Sequence, residues 1–330
     1  MRIAADLLGS TILFGVPLLL VALGGMFAER SGVINLALEG IMIIGALAGC
    51  LFLRSANLGG WGVNSPQTAM FIAIIIAGVI GAVFSLLLSF AAINLKANQT
   101  IGGTALNQFA PAFAVVLTWA IQGQGQTSIT IPTWVRITQA NFGFAQSASP
   151  GFFENLIFKS FYLTTPIAFI LLIASYVILY KTKLGLRLRS CGEHPQAAAS
   201  VGISVYKMRY IGTTISGFLG GIGGLAFTVA AGSGFQSTVA GYGFLALAVM
   251  IFGNWKPLSI FGASMFFAFF KVISSYSGSI PFLPKFENIT NSSYIYQCIP
   301  YVVTMLVLIF TSKRSQAPLA EGQPYDKGQR

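Results

Sequence analysis

Apolar stretches of about 20 residues recur along the chain between short polar breaks, and at 1.5 Å per helical residue each can cross a hydrocarbon core of about 30 Å. Nine such spans can be drawn, at 7–27, 33–53, 68–92, 99–121, 157–180, 209–231, 241–254, 257–276 and 295–311. The stretches are continuously apolar rather than alternating, so they predict crossing helices and not a barrel. Glycines are spread through these spans instead of being gathered in linkers.

Composition agrees with this pattern. Of 330 residues only 19 are Lys or Arg and 8 are Asp or Glu, about a third of the charge a soluble domain carries. Mean hydropathy is +0.77, which excludes an ordinary soluble globule. The net charge of +11 comes from cations scattered between apolar spans, so it reads as membrane topology and not as a nucleic-acid surface. The first 27 residues hold Arg2 and Asp6 without a small-residue cleavage site, and are read as a span rather than a signal peptide. Cys50, Cys191 and Cys298 are far apart, form no CxxC pair, and have only His194 as a possible imidazole companion; no metal site or disulfide framework follows.

Charge sets the expected orientation, because short Lys/Arg-rich loops stay in the cytoplasm. Segment 181–210 holds Lys181, Lys183, Arg187, Arg189, Lys207 and Arg209, and the tail 313–330 holds Lys313, Arg314, Lys327 and Arg330. Alternation backwards from that loop places 13 cations inside and 5 outside, with Lys271 inside a span. It also puts the amino terminus outside. A membrane domain at 1–312, with an exterior segment at 121–155, and a cytoplasmic tail at 313–330 are the resulting divisions.

One internal echo stands out: residues 32–38 read GVINLAL and residues 241–247 read GYGFLAL. The two run in opposite directions in this topology, the arrangement of an inverted repeat with Gly-interrupted helices at its interface. Neither a catalytic constellation nor a phosphate-cradling glycine loop is present, so uphill movement requires an ion gradient or another subunit. Ion relays need ionisable groups within the spans, and only Glu39 and Lys271 qualify. Lys271 can snorkel. Glu39 lies beside Asn35 at i and i+4, and suits a wet cleft, the cap of a broken helix or a polar contact between helices. Thr100, Thr104 and Asn107 form a polar stripe on the fourth span that either wets a pathway or joins helices. Gly212, Ser216, Gly220 and Gly224 recur every fourth residue and give a small face for close helix packing.

The loop GLRLRSCGEHPQAAASVGISVYKMRY (185–210) predicts a short helix. Glu193 precedes Pro195, which suits a first turn; Ala197, Ala198 and Ala199 make a small featureless knob; Gly202 ends it, followed by Ser204. The knob fits either a surface helix or a ball for a socket on a cytoplasmic partner.

Five stretches taken in order make the family recognisable: GGMFAERSGVINLALEG (24–40), KANQTIGGTALN (96–107), the 185–210 loop, ISGFLGGIGGLAF (215–227) and GYGFLALAVMIFGNWKP (241–257). Together they resemble the permease subunits of ABC importers in the ribose and branched-chain amino-acid superfamily, most of all the smaller permease of nucleoside importers. The resemblance implies an all-α polytopic bundle of about nine spans with an inverted repeat, in a bacterial cytoplasmic membrane. It implies that Glu193, Pro195, Ala197, Ala198, Ala199, Gly202 and Ser204 form the coupling helix that docks on an ATP-binding subunit. ATP and Mg would then bind that partner, with no cofactor on this chain and no nucleic acid. Further expected partners are a second permease and an extracytoplasmic substrate-binding lipoprotein. The expected cargo is a nucleoside, with ribose, another simple sugar or a branched-chain amino acid as alternatives, and an ion-coupled secondary transporter as the rival from another class. Asn35, Glu39, Thr100, Thr104 and Asn107 are the expected pathway residues.

Overall fold

The computed structural model describes residues 2–137, 161–276, 298–299, 302, 305–306, 309 and 316–326, with side chains from residue 5 onward. Most of the last expected span, most of the exterior segment and both ends of the tail lie outside the described residues. Among the described residues the fold is all-α, with one isolated antiparallel bridge between Ile129 and Phe235.

Eleven α-helices with described bounds follow in order among the described residues: α1 (Arg2–Arg30), α2 (Leu38–Leu58), α3 (Trp61–Asn64), α4 (Pro66–Ile93), α5 (Gln99–Gln122), α6 (Thr164–Lys181), α7 (Lys183–Glu193), α8 (Pro195–Ser200), α9 (Val205–Ala231), α10 (Tyr242–Phe252) and α11 (Pro257–Tyr276), with a 3-10 turn at Thr133–Val135. Seven of them are long and apolar enough to cross a membrane: α1 from Ala5, α2, α4, α5, α6, α9 and α11. Their starts follow local rules. Pro66 and Pro195 stand in the first turns of α4 and α8, where a missing N–H costs nothing. Asn98, Thr182 and Ser204 accept backbone N–H groups at the starts of α5, α7 and α9.

The glycine-rich α9 is the centre. A Cβ on Gly217 or Gly221 would strike α4 backbone at Gly81 or Ala77, one on Gly224 would strike Met42, and one on Gly212 would strike Ser31 and the Phe27 carbonyl. Gly220 faces Ile41, and Gly24 of α1 approaches Ser216. The small residues therefore bring backbones together from two sides of α9, because between membrane helices association depends on packing rather than on exclusion of water. These contacts also fix directions. Residue 27 meets 212 and residue 17 meets 223, so α1 is antiparallel to α9; residue 77 meets 221 and Ser89 meets Thr213, so α4 is antiparallel too, whereas α2 runs parallel.

Two breaks organise the bundle. Between α1 and α2, residues 31–37 leave the helical path alongside Gly212 and Ser216, so α2 begins about 20 Å along α9. Between α9 and α10, residues 232–241 run beside Thr127 and Ile129 and return to the start of α2. From there α10 runs antiparallel to α2 and reaches Trp255, beside Glu29 and Arg30 at the end of α1. At 11 residues, α10 spans about 16 Å, so the expected span at 241–254 is a half-helix, preceded by the irregular segment 232–241. The pairing repeats in inverted form: α1 lies against α11 as α9 lies against α4. The sequence echo has the expected opposed directions but not a matched register. Leu36-Ala37-Leu38 leads into α2, whereas Leu245-Ala246-Leu247 lies a turn inside α10.

Candidate functional site

A bundle interior that breaks two helices must satisfy the freed backbone groups, since lipid and packed apolar side chains offer no partners. Side-chain amides and one carboxylate do this. Asn35 Nδ2 donates to Ser216 Oγ at 2.8 Å while its Oδ1 accepts Ala37 N–H at 3.1 Å. Gln99 Oε1 accepts Ile34 N–H at 2.7 Å. Asn107 Nδ2 donates to the Leu36 carbonyl at 2.6 Å, and its Oδ1 accepts Gly40 N–H at 2.8 Å. Glu39 reaches across to the second break, where its two oxygens accept Gly241 and Gly243 N–H at 2.8 and 2.7 Å. Asn35, Glu39 and Asn107 are all buried.

The polar stripe on α5 consequently divides. Asn107 turns inward to hold the break, whereas Thr100 and Thr104 are exposed, the Thr104 hydroxyl donating back to the Thr100 and Ile101 carbonyls. Gln108 is exposed four residues further along, so the open polar line is Thr100, Thr104 and Gln108. Spacing from Thr100 alone pointed to Asn107 and passed over Gln108. Gly40 and Gly103 allow α5 to approach the first break. Only 22% of the α5 apolar window is buried, the smallest share among the seven long helices.

At the opposite end of this arrangement from the 232–241 break, the α7–α8 elbow meets the end of α1. Arg30 Nη1 lies 3.5 Å from Glu193 Oε1, its Nη2 donates to the Trp255 carbonyl at 3.3 Å, and Trp255 Nε1 donates to Glu29 Oε2 at 2.6 Å. Gly192 sits against the Arg30 carbonyl, where a side chain would collide. In α8 the expected knob is split by burial. Pro195 and Ala198 face inward, with Ala198 clustered on Cys191, Val205, Met208 and Tyr325, while His194, Gln196, Ala197, Ser200, Val201, Gly202 and Ser204 are exposed and Glu193 and Ala199 partly so. Burial lifts the Cys191 thiol above its ordinary range. Sequence reasoning missed Gln99, Arg209 and residues 316–326, because their partners are far away in the chain and no local spacing marks them.

Comparison with known proteins agrees with this architecture. The family model described as branched-chain amino acid transport system / permease component matches residues 7–311. The chain belongs to this family. It is a multi-pass membrane protein of the ABC permease type, a transport component rather than an enzyme. The guanosine ABC transporter permease protein NupQ of Bacillus subtilis (strain 168) is 40% identical, over 100% of this chain and 99% of its own. The nucleoside ABC transporter permease protein NupC of Lactococcus lactis subsp. cremoris (strain MG1363) is 36% identical, over 97% and 96%. The putative glucose ABC transporter permease protein TsgC13 of Haloferax volcanii is 28% identical, over 96% and 94%. No solved structure matches the chain.

Proposed function

We propose that this chain is one of two permease subunits of an ATP-driven importer of nucleosides, supplied by an extracytoplasmic binding protein and powered by separate ATP-binding subunits that hold ATP and Mg. The observation that carries the cargo is the 40% identity, end to end, with a permease named for guanosine, against 28% for one named for glucose. The test is uptake of labelled guanosine, adenosine, cytidine and ribose in cells with and without the gene, each with and without ATP depletion. ATP-dependent loss of nucleoside uptake alone supports the reading. Loss of ribose uptake alone moves the cargo to sugars, and indifference to ATP removes the ABC mechanism.

In this reading the elbow faces the cytoplasm and the start of α1 faces outside, which the 13 to 5 distribution of cations favours. The exposed side of α8, from Gln196 and Ala197 to Ser200, enters the ATPase groove, while Pro195 and Ala198 seat the helix on its own bundle. Ala197→Arg then leaves the protein in the membrane and abolishes co-purification of the ATPase. Thr100, Thr104 and Gln108 line the route on the thinly covered face of α5, which the second permease covers. Asn35, Glu39 and Asn107 hold the break beside that route and do not contact cargo.

A further inference from the structure

Residues 316–326 have no helix of their own, yet they are tied to every element that converges on the elbow. Ala320 N–H donates to the Gly192 carbonyl at 2.9 Å and Leu319 N–H to Glu193 Oε2 at 3.4 Å, immediately before α8. Gly322 N–H donates to the Gly32 carbonyl at 3.3 Å, in the first break. Gln316 N–H donates to Asn254 Oδ1 at 2.8 Å, in the α10–α11 turn. Arg209 in the first turns of α9 donates to the Gln323 carbonyl at 2.8 Å. Asp326 pairs with Lys96 between α4 and α5 at 2.8 Å. The Tyr325 ring packs edge-on to Tyr206 and closes the small cluster that buries Ala198 of α8.

Arg209 shows how much this segment does. It is 1% exposed, the largest fully buried side chain described, and its guanidinium lies over Gly32, where a Cβ would come within 3.0 Å of Nη2 and 3.4 Å of the Ala320 carbonyl. A buried cation without a carboxylate partner is costly; among the described residues Arg209 has none, and its one hydrogen bond there is to the Gln323 carbonyl. The charge is therefore held in place by the segment that covers it.

We propose that residues 316–326 form a strap that makes the α7–α8 elbow and the first helix break one mechanical body, so that a push on α8 reaches the Asn35–Glu39 hub. The proposal rests on the reading of α8 as the ATPase contact. Without the strap, the elbow meets the bundle through the Arg30–Glu193 pair, the packing of Gly192 on the Arg30 carbonyl and the buried face of α8, while the first break loses its hydrogen bond from Gly322.

The test compares the reconstituted importer, with its partner permease, ATPase and binding protein in proteoliposomes, in three forms: wild type, a chain ended after Ser315, and Tyr325→Ala/Asp326→Ala. The readout is nucleoside taken up per ATP hydrolysed. The expected result is retained ATP hydrolysis with that ratio lowered about tenfold, the size of an ordinary coupling between sites. An unchanged ratio in the truncated chain overturns the strap. If the truncated chain does not assemble, the double variant decides by the same ratio, since it frees Tyr325 from the cluster that buries Ala198 of α8 and Asp326 from Lys96; an unchanged ratio there overturns the strap. Failure of the underlying reading shows elsewhere: Ala197→Arg would then leave ATPase binding intact, whatever the strap variants do.

Discussion

Glu39, in the first turn of α2, accepts the backbone N–H of Gly243 in the first turn of α10 at 2.7 Å. The same carboxylate accepts Gly241 N–H at 2.8 Å. Two helices of opposite direction thus start at one carboxylate, and each presents the positive end of its dipole to it. A carboxyl group inside a membrane bundle is satisfied here because it accepts the freed N–H groups of the second break from the start of the helix that follows the first.

Removing that cap has a defined cost. Glu39→Ala leaves one buried and one part-buried N–H group without acceptors and is expected to destabilise the protein by about 2 kcal/mol. Glu39→Gln keeps one acceptor and its shape, and loses less. Thermal unfolding of the detergent-solubilised protein measures both. Equal melting of wild type and Glu39→Ala would show that the carboxylate caps nothing.

Gly32 makes a second case. Its φ of +94° lies where side chains are strained, and a Cβ would press on the Arg209 guanidinium from 3.0 Å. Gly32→Ala therefore meets both strain and a displaced buried cation, and is expected to cost about 1–3 kcal/mol. The displacement also loosens 316–326, so the tail of Gly32→Ala in the detergent-solubilised protein becomes cleavable at protease concentrations that spare the wild-type tail.

The sequence showed the membrane class and the small-residue face of α9 because both depend on what each residue is rather than on what it meets. Gly212, Ser216, Gly220 and Gly224 repeat at helical spacing, and a face of that kind has few uses other than close packing. The hub was only half legible. Asn35 and Glu39 could be named as polar residues in a span, but whether they line a path or satisfy a break depends on Ser216, Gly241 and Gly243, some 180 to 204 residues away. Asn107 and Gln108 are neighbours in sequence and opposite in burial, which depends on the roll of α5 about its axis. The α10 half-helix was hidden because an 11-residue apolar run beside an irregular segment has the hydropathy of a short span.

Close packing on α9 is testable at Gly221. A side chain there collides with the Ala77 carbonyl and the Gly81 Cα of α4, atoms that cannot move without parting two helices. Gly221→Val is expected to cost about 3 kcal/mol by overpacking and to lower membrane yield. Gly262, with open space around it, is the matched control, and Gly262→Val leaves yield unchanged.

The tail carries a pH dependence. Burial raises the Glu321 carboxyl above its ordinary value of 4.5, opposed first by its hydrogen bond with the Glu29 carboxyl and then by the Arg30 cation. Two carboxyl groups joined by a hydrogen bond must hold at least one proton between them. Docking of residues 316–326 therefore takes up protons: its contribution is complete below pH 4.5 and is lost as pH rises through the raised value. Glu321→Gln supplies the donor permanently and removes that dependence. Protease cleavage of the tail, followed across pH, is expected to accelerate on the alkaline side in the wild type and to stay flat in Glu321→Gln. Faster cleavage on the acid side would mean that Glu321 docks as the anion paired with Arg30, and the proton would have no part in holding the tail.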